Sequence, residues 1–324
     1  MLQVGLNPYG LTYFLGLQGR GTPRANPEGG GLEGFIAIAE ELGARTLEVF
    51  EPWLAEMSGE ELANLRGRLV RLGMAPVVSG GLNNVERAIR TAELLGAKVM
   101  RLGLTSVLCG DRHAVGAEWP KLIASVRGAL GKAAPLAAAA GVTLAIENHQ
   151  DFGSQELVDF CEAAGTSVGI CFDTGNSFPV AEAPLEFTRR AAAHIRHLHL
   201  KDYQVQWTDE GYRLVRCAIG DGAVPFREIV GILGEHHKTL TAVLEPGALE
   251  ARHVRLFRPE WWNGYAPKSA TALAACLAAA RTNRLPEDAD YRTPWERNAD
   301  GELAAYELAM IRRSAANMKS IGLM

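Results

Sequence analysis

Eight short apolar runs recur along this chain, each followed by a longer stretch of helical periodicity, and that alternation restricts the fold more than any other feature. The runs are LQVGL (2–6), RTLEVF (45–50), APVVS (75–79), KVMRLGL (98–104), TLAIEN (143–148), VGICFD (168–173), RHLHL (196–200) and TAVLE (241–245). Each is almost continuously apolar, as expected of a parallel strand covered on both faces. Several of the helical stretches end in glycine, with Gly73, Gly96, Gly141 and Gly165 at C′ positions. Ser58 opens one of them with Glu61 three residues on, a capping-box pattern. Eight strand–helix units predict an α/β fold of the closed (β/α)8 TIM barrel type more readily than an open doubly wound sheet.

Two segments depart from the plain unit. KDYQVQWTDEGYRLVRCAIGDG alternates about Asp209–Gly211 and predicts a β-hairpin inserted in the seventh βα loop. Beyond Glu245 the chain continues to residue 324, further than one closing helix requires. That tail holds an Arg/Trp-rich loop, a helix over about 268–281, a Pro-rich connection and a last helix over about 301–321. Residues 1–250 are expected to form the barrel. Residues 251–324 are expected to be a C-terminal extension, the eighth helix and tail, packed on the same domain, because neither helix buries a core alone.

A net charge of −4 with no basic block gives no electrostatic reason to expect nucleic acid as a partner. The five cysteines are scattered and form no CxxC pair. They read as reduced thiols rather than a disulfide framework or a cysteine zinc site. The N-terminal segment lacks the pattern of a secretory signal, and no apolar run reaches 18 residues, so no membrane partner is expected. A cytoplasmic location follows as an expectation.

Four strand ends carry a side chain able to bind metal: Glu147 in AIENH, Asp173 in CFDTGN, His199 in HLHLKD and Glu245 in VLEPG. Barrel geometry brings such residues from neighbouring strands to the C-terminal face, where active sites of this fold lie. Any one acid there serves equally well as a helix cap or an arginine partner. Four at the ends of four strands, three carboxylates and one imidazole, suit a divalent cation that prefers oxygen. Mn²⁺ is the first choice, with Mg²⁺, Co²⁺ or Fe²⁺ as alternatives.

Those four segments resemble the xylose isomerase-like TIM barrel family, the sugar phosphate isomerase/epimerase group, with strand order matching over about residues 2–250. The resemblance implies that Glu147, Asp173, His199 and Glu245 are the metal ligands, and that Glu147 and Glu245 also move the substrate proton. The expected activity is therefore a divalent-metal-dependent sugar isomerase or epimerase, abstracting a proton next to a carbonyl through a metal-stabilised enediolate. The alternative is a dehydratase or lyase, by β-elimination on a keto-sugar, a 3-keto-glycoside or an inosose. The partner is a small sugar or cyclitol, and a homo-oligomer, dimer or tetramer, is expected because barrels of the group commonly associate. The group also includes a DNA-repair nuclease. Its three-zinc cluster needs histidines at the third and fourth strand ends, and this chain has none there.

His149, Asn176 and Arg216 are the candidate substrate contacts. His149 lies two residues past Glu147 and faces the same way if the strand continues. Asn176 stands where several relatives have histidine. Arg216 resembles an arginine that many members aim at the substrate or at a metal-binding glutamate. His197 reads as a hydrogen-bonded core histidine. Trp261 and Trp262 suit either a sugar-stacking platform or a docking interface.

Overall fold

In the computed structural model, which describes residues 2–286 and 288–324, eight parallel strands close into a barrel. They are β1 (Leu2–Leu6), β2 (Thr46–Phe50), β3 (Ala75–Gly81), β4 (Val99–Gly103), β5 (Thr143–Glu147), β6 (Val168–Asp173), β7 (Ile195–Leu200) and, after an insertion, β10 (Leu240–Leu244). β10 pairs with β7 on one side and β1 on the other, which closes the ring. The helices between strands are α1 (Gly31–Leu42), a single turn α2 (Glu51–Leu54), α3 (Gly59–Arg71), α4 (Val85–Leu95), α5 (Trp119–Ala139), α6 (Ser154–Ala164), α7 (Pro184–Ala191) and α8 (Phe226–His236).

Local chemistry sets these boundaries. Ser58 and Glu61 form the expected capping box at the start of α3, with hydrogen bonds of 2.7 and 3.3 Å. Gly96 ends α4 in the left-handed region, at φ 80°, where a side chain would clash with its own backbone.

The inserted hairpin is β8 (Tyr203–Thr208) and β9 (Gly211–Arg216), paired antiparallel across Asp209 and Glu210. A third strand, β11 (Arg252–Val254), adds to β9 with Arg252 opposite Leu214. From its sequence that segment is expected to be loop. A three-residue strand whose partner lies some forty positions away leaves no periodic trace. The tail then forms α9 (Ala270–Ala280) and α10 (Leu303–Ser320). α10 touches α1 through Arg312–Glu41 (2.7 Å) and Lys319 to the Leu42 carbonyl. It also touches the segment before α8 through Asn317 and Ser314 to the backbone of Ile219. It therefore stands between the first barrel helix and the last. No helix among the described residues is long and apolar enough to cross a membrane.

Candidate metal and active site

Glu147 ends β5, Asp173 ends β6, His199 lies one residue inside the end of β7, and Glu245 follows β10 directly. The ladder places Asp173 opposite His199, and His199 opposite Val243. Four potential ligand atoms, one from each of the four residues, consequently lie within 4.8 Å of one another, in buried surroundings. His199 is central: its Nδ1 is 3.2 Å from Glu147 Oε1 and 2.7 Å from Glu245 Oε2.

Three buried carboxylate oxygens in this cluster, Glu147 Oε2, Asp173 Oδ1 and Glu245 Oε2, accept no well-formed hydrogen bond. Two of them lie against cationic groups at ion-pair distance, Glu147 against Arg101 and Glu245 against His199. Asp173 Oδ1 has neither kind of partner among the described residues. Buried carboxylate oxygens without donors are costly, and a divalent cation is the group that satisfies several at once. The donor set thus fits a metal such as those the sequence suggests.

The electrostatics point the same way. Burial raises the Asp173 carboxyl, and Lys201 only partly opposes the further push from Glu245 and Glu147, leaving it at about 7. For Glu147 burial is outweighed by Arg101, His149 and His199, which hold it well below the usual carboxylate range. For Glu245 Lys201 and His199 do the same. Burial disfavours charge on His199, but Cys171, Glu48, Glu245 and Glu147 around it hold it well above an ordinary histidine. The acids' mutual repulsion is concentrated on Asp173, where a cation relieves it.

Several site residues went unnoticed in the sequence. Glu48, in mid-β2 and fully buried, takes His199 Nε2 at 2.7 Å and His197 Nε2 at 3.0 Å on Oε2, and Asn7 Nδ2 at 2.9 Å on Oε1. Burial would raise it, yet the two imidazoles hold it far below the ordinary range. It holds His199 through Nε2 and leaves Nδ1 toward Glu147 and Glu245, the arrangement that orients metal-binding histidines. His197 completes the network through Thr241 Oγ1 at 2.7 Å, so it is a hydrogen-bonded core histidine. Cys171, His197 and His199 also converge, but both Nε2 atoms there are taken by Glu48. Arg101 on β4 pairs with Glu147. Lys201, just past β7, pairs with Asp173 and, at 2.7 Å, with Glu245 Oε1. The signal available was a charged residue interrupting an apolar strand, as in TLEVF and VMRLG.

The expected substrate contacts divide. His149 lines both the cavity of about 200 Å³ above the cluster and the wider groove of about 680 Å³ beside it. Burial is the largest influence on its imidazole and holds it below the ordinary value. Asn176 is fully buried and donates to Asp173 Oδ2 at 2.6 Å, so it steadies a candidate ligand. Arg216 does not line the cavity. Its guanidinium donates to the carbonyls of Gly10 (2.6 Å) and Gly247 (2.8 Å), tying the first loop to the turn after Glu245. Gly247 is required in that turn: a Cβ there would lie 2.6 Å from the Tyr203 ring. Trp261 is buried against Tyr265 and donates to the Cys109 carbonyl, so it docks the tail.

A family model described as xylose isomerase-like TIM barrel matches residues 36–253. The chain belongs to that family. Among curated members it is 31% identical over 106 residues to YihM, an uncharacterised protein of Escherichia coli K12, over 32% of each chain. It is 27% identical over 148 residues to an inosose dehydratase of Clostridium botulinum, over 41% of this chain and 48% of that one. The chain thus spans between a third and a half of the length of these relatives. A D-psicose 3-epimerase crystallised in the presence of D-fructose superposes with a TM-score of 0.57 at 17% identity, covering 90% of this chain and 93% of that one. At that identity the likeness shows the shared barrel fold.

Proposed function

We propose that this chain is a divalent-metal-dependent isomerase or epimerase of a sugar or cyclitol, with Glu147 and Glu245 as its proton-transfer pair. The observation that carries the reading is that two carboxylates, Glu147 and Glu245, meet at His199 Nδ1, each beside a cation. Arg101 backs Glu147, and Lys201 backs Glu245. They come from β5 and β10, separated in the barrel by β6 and β7.

Glu147, Asp173, His199 and Glu245 would hold the metal, Mn²⁺ by preference. Bound there, a divalent ion polarises a substrate carbonyl and acidifies the neighbouring C–H. One glutamate, ionised, removes that proton and leaves an enediolate, and the other, carrying a proton taken up from solvent or from the Lys201 ammonium, returns one. Return to the opposite face of the same carbon gives an epimer, and return to the adjacent carbon gives an isomer. A positioned carboxylate contributes about 10²–10⁴-fold to such a transfer. His149, facing the cavity, contacts a substrate hydroxyl. Asn176 and Arg216 act at one remove, by holding Asp173 and the two loops. All five cysteines are unpaired, which fits a reducing cytoplasm.

Lys201 supports a second reading. An ammonium beside Glu245 at the cavity wall can protonate a departing hydroxyl, so β-elimination suits the same residues. The inosose dehydratase relative adds weight to it. Incubating the Mn²⁺-loaded protein with ketoses, keto-glycosides and inososes in D₂O separates the two by mass. Isomerisation or epimerisation adds deuterium and leaves the substrate otherwise intact, whereas elimination loses water or an aglycone. Glu147→Gln and Glu245→Gln are each expected to retain some metal and lose deuterium exchange. Retained exchange in both variants overturns the proton-transfer assignment.

A further inference from the structure

Arg252 opens β11, and its side chain lines the same 200 Å³ cavity as Glu245, Lys201, His149 and Arg101. Its Nε is buried and makes no hydrogen bond, and no ion pair joins it to any acid among the described residues. The other cations around the site each face an acid or a carbonyl, although Arg101 Nε is likewise without a hydrogen bond. Arg101 faces Glu147, Lys201 faces Asp173 and Glu245, and Arg216 donates to two backbone carbonyls. A buried guanidinium nitrogen without an acceptor is rare in folded proteins and calls for an explanation.

Flexibility does not provide one. The backbone of Arg252 is held by pairing of β11 with β9 at three successive positions, and Val254 two residues on is fully buried. The strand that carries Arg252 is therefore set in place by the same sheet that the hairpin insertion builds over the catalytic face. A divalent ion among the four ligands makes the cavity more positive still, because the three carboxylates then answer the metal as well as Arg101 and Lys201. A planar guanidinium fork matches the oxygens of carboxylate and phosphate groups in two-point contacts. The neighbouring Thr12, Gln18 and Gln150 add neutral side chains suited to hydroxyls.

We propose that the substrate carries an anionic oxygen group, a carboxylate or a phosphate, and that Arg252 binds it. The inference rests on the sugar chemistry proposed for the cluster and narrows its substrate class to acidic sugars. Three probes test it on the full-length, Mn²⁺-loaded protein by calorimetry: D-fructose, its 6-phosphate, and a keto-hexuronate. One of the two anions is expected to bind at least about tenfold more tightly than fructose, and which one identifies carboxylate or phosphate as the ligand. Arg252→Gln is expected to erase that preference while Mn²⁺ affinity stays unchanged, and Arg252→Lys to restore part of it.

Fructose binding as tightly as both anions overturns the inference and leaves the sugar site standing. An anion preference unchanged in Arg252→Gln also overturns it. If none of the three binds the metal-loaded protein, the sugar site itself fails, and the assignment to Arg252 fails with it.

Discussion

Glu48 shows how a single side chain beneath the four candidate ligands orders the cluster. It holds two histidines on one oxygen and Asn7 on the other, so its charge is fully answered without touching the cavity. Replacing it by glutamine keeps the shape but puts an NH₂ where one of the buried donors now finds an acceptor. The Glu48→Gln variant is expected to bind Mn²⁺ about 10–100-fold more weakly, the range seen when the partner of a metal-binding histidine is lost. Competition with a chromophoric chelator measures this, and unchanged affinity would show that His199 is oriented by its other contacts. The four candidate ligands are legible in the sequence because each sits at a strand end, where barrel topology makes position informative. Glu48, Arg101 and Lys201 are not, because their importance lies in contacts across the barrel. His199 lies 151 positions from Glu48. What the sequence did show was an acid or arginine inside an apolar run, and a buried charge of that kind requires a partner.

At the level of elements, the strands were legible to within a residue or two because burial on both faces forces them to be continuously apolar. The tail was legible as helices but not in its placement. Some sixty residues separate β10 from α10, and only contacts such as Arg312 with Glu41 reveal that α10 lies beside α1. That placement has a functional side. Glu307, buried on α10, accepts from the backbone N–H groups of Tyr13 (3.2 Å) and Phe14 (2.8 Å) and from Thr12 Oγ1. Thr12 and Gln18 line the cavity, so the last helix holds the first loop in its working shape. Glu307→Ala leaves two backbone donors unpaired, at about 1–3 kcal/mol each. A lowered melting temperature is expected, with a raised KM and little change in Mn²⁺ affinity. Glu307→Gln, which retains one acceptor oxygen, is expected to recover part of both losses. Equal loss of metal affinity in Glu307→Ala would show that α10 supports the whole cluster rather than the loop alone.

For the molecule as a whole, the pH dependence of stability reflects which buried acids keep their protons. Asp151 lies outside the ligand set. Thr105 Oγ1 and the Phe152 N–H donate to its carboxyl, at 2.7 and 2.9 Å. Burial is the largest influence on it, the hydrogen bonds only partly oppose that, and the nearby Glu147 adds to it, so the group is pushed up from 3.8 to about 7. Below 3.8 the folded and unfolded chains both hold this proton, and it does not affect their balance. Between 3.8 and about 7 only the unfolded chain releases it. Each pH unit in that window therefore takes about 1.4 kcal/mol from the folded state. Above about 7 both forms are ionised and the penalty stays constant, at roughly 4 kcal/mol at most. Paired acids such as Glu48, whose folded pKa is depressed, contribute with the opposite sign, so the raw pH profile is a mixture. The difference between wild type and Asp151→Asn isolates the single group, since an amide oxygen still accepts from Phe152 and its NH₂ can donate to Thr105. Urea unfolding of the chelator-treated pair is expected to give similar stabilities near pH 4. The variant is then expected to draw steadily ahead up to about pH 7 and hold a constant lead above it. A gap that stays flat from pH 4 to 8 would mean that Asp151 ionises in the fold at its ordinary value, with the Thr105 and Phe152 hydrogen bonds fully offsetting its burial.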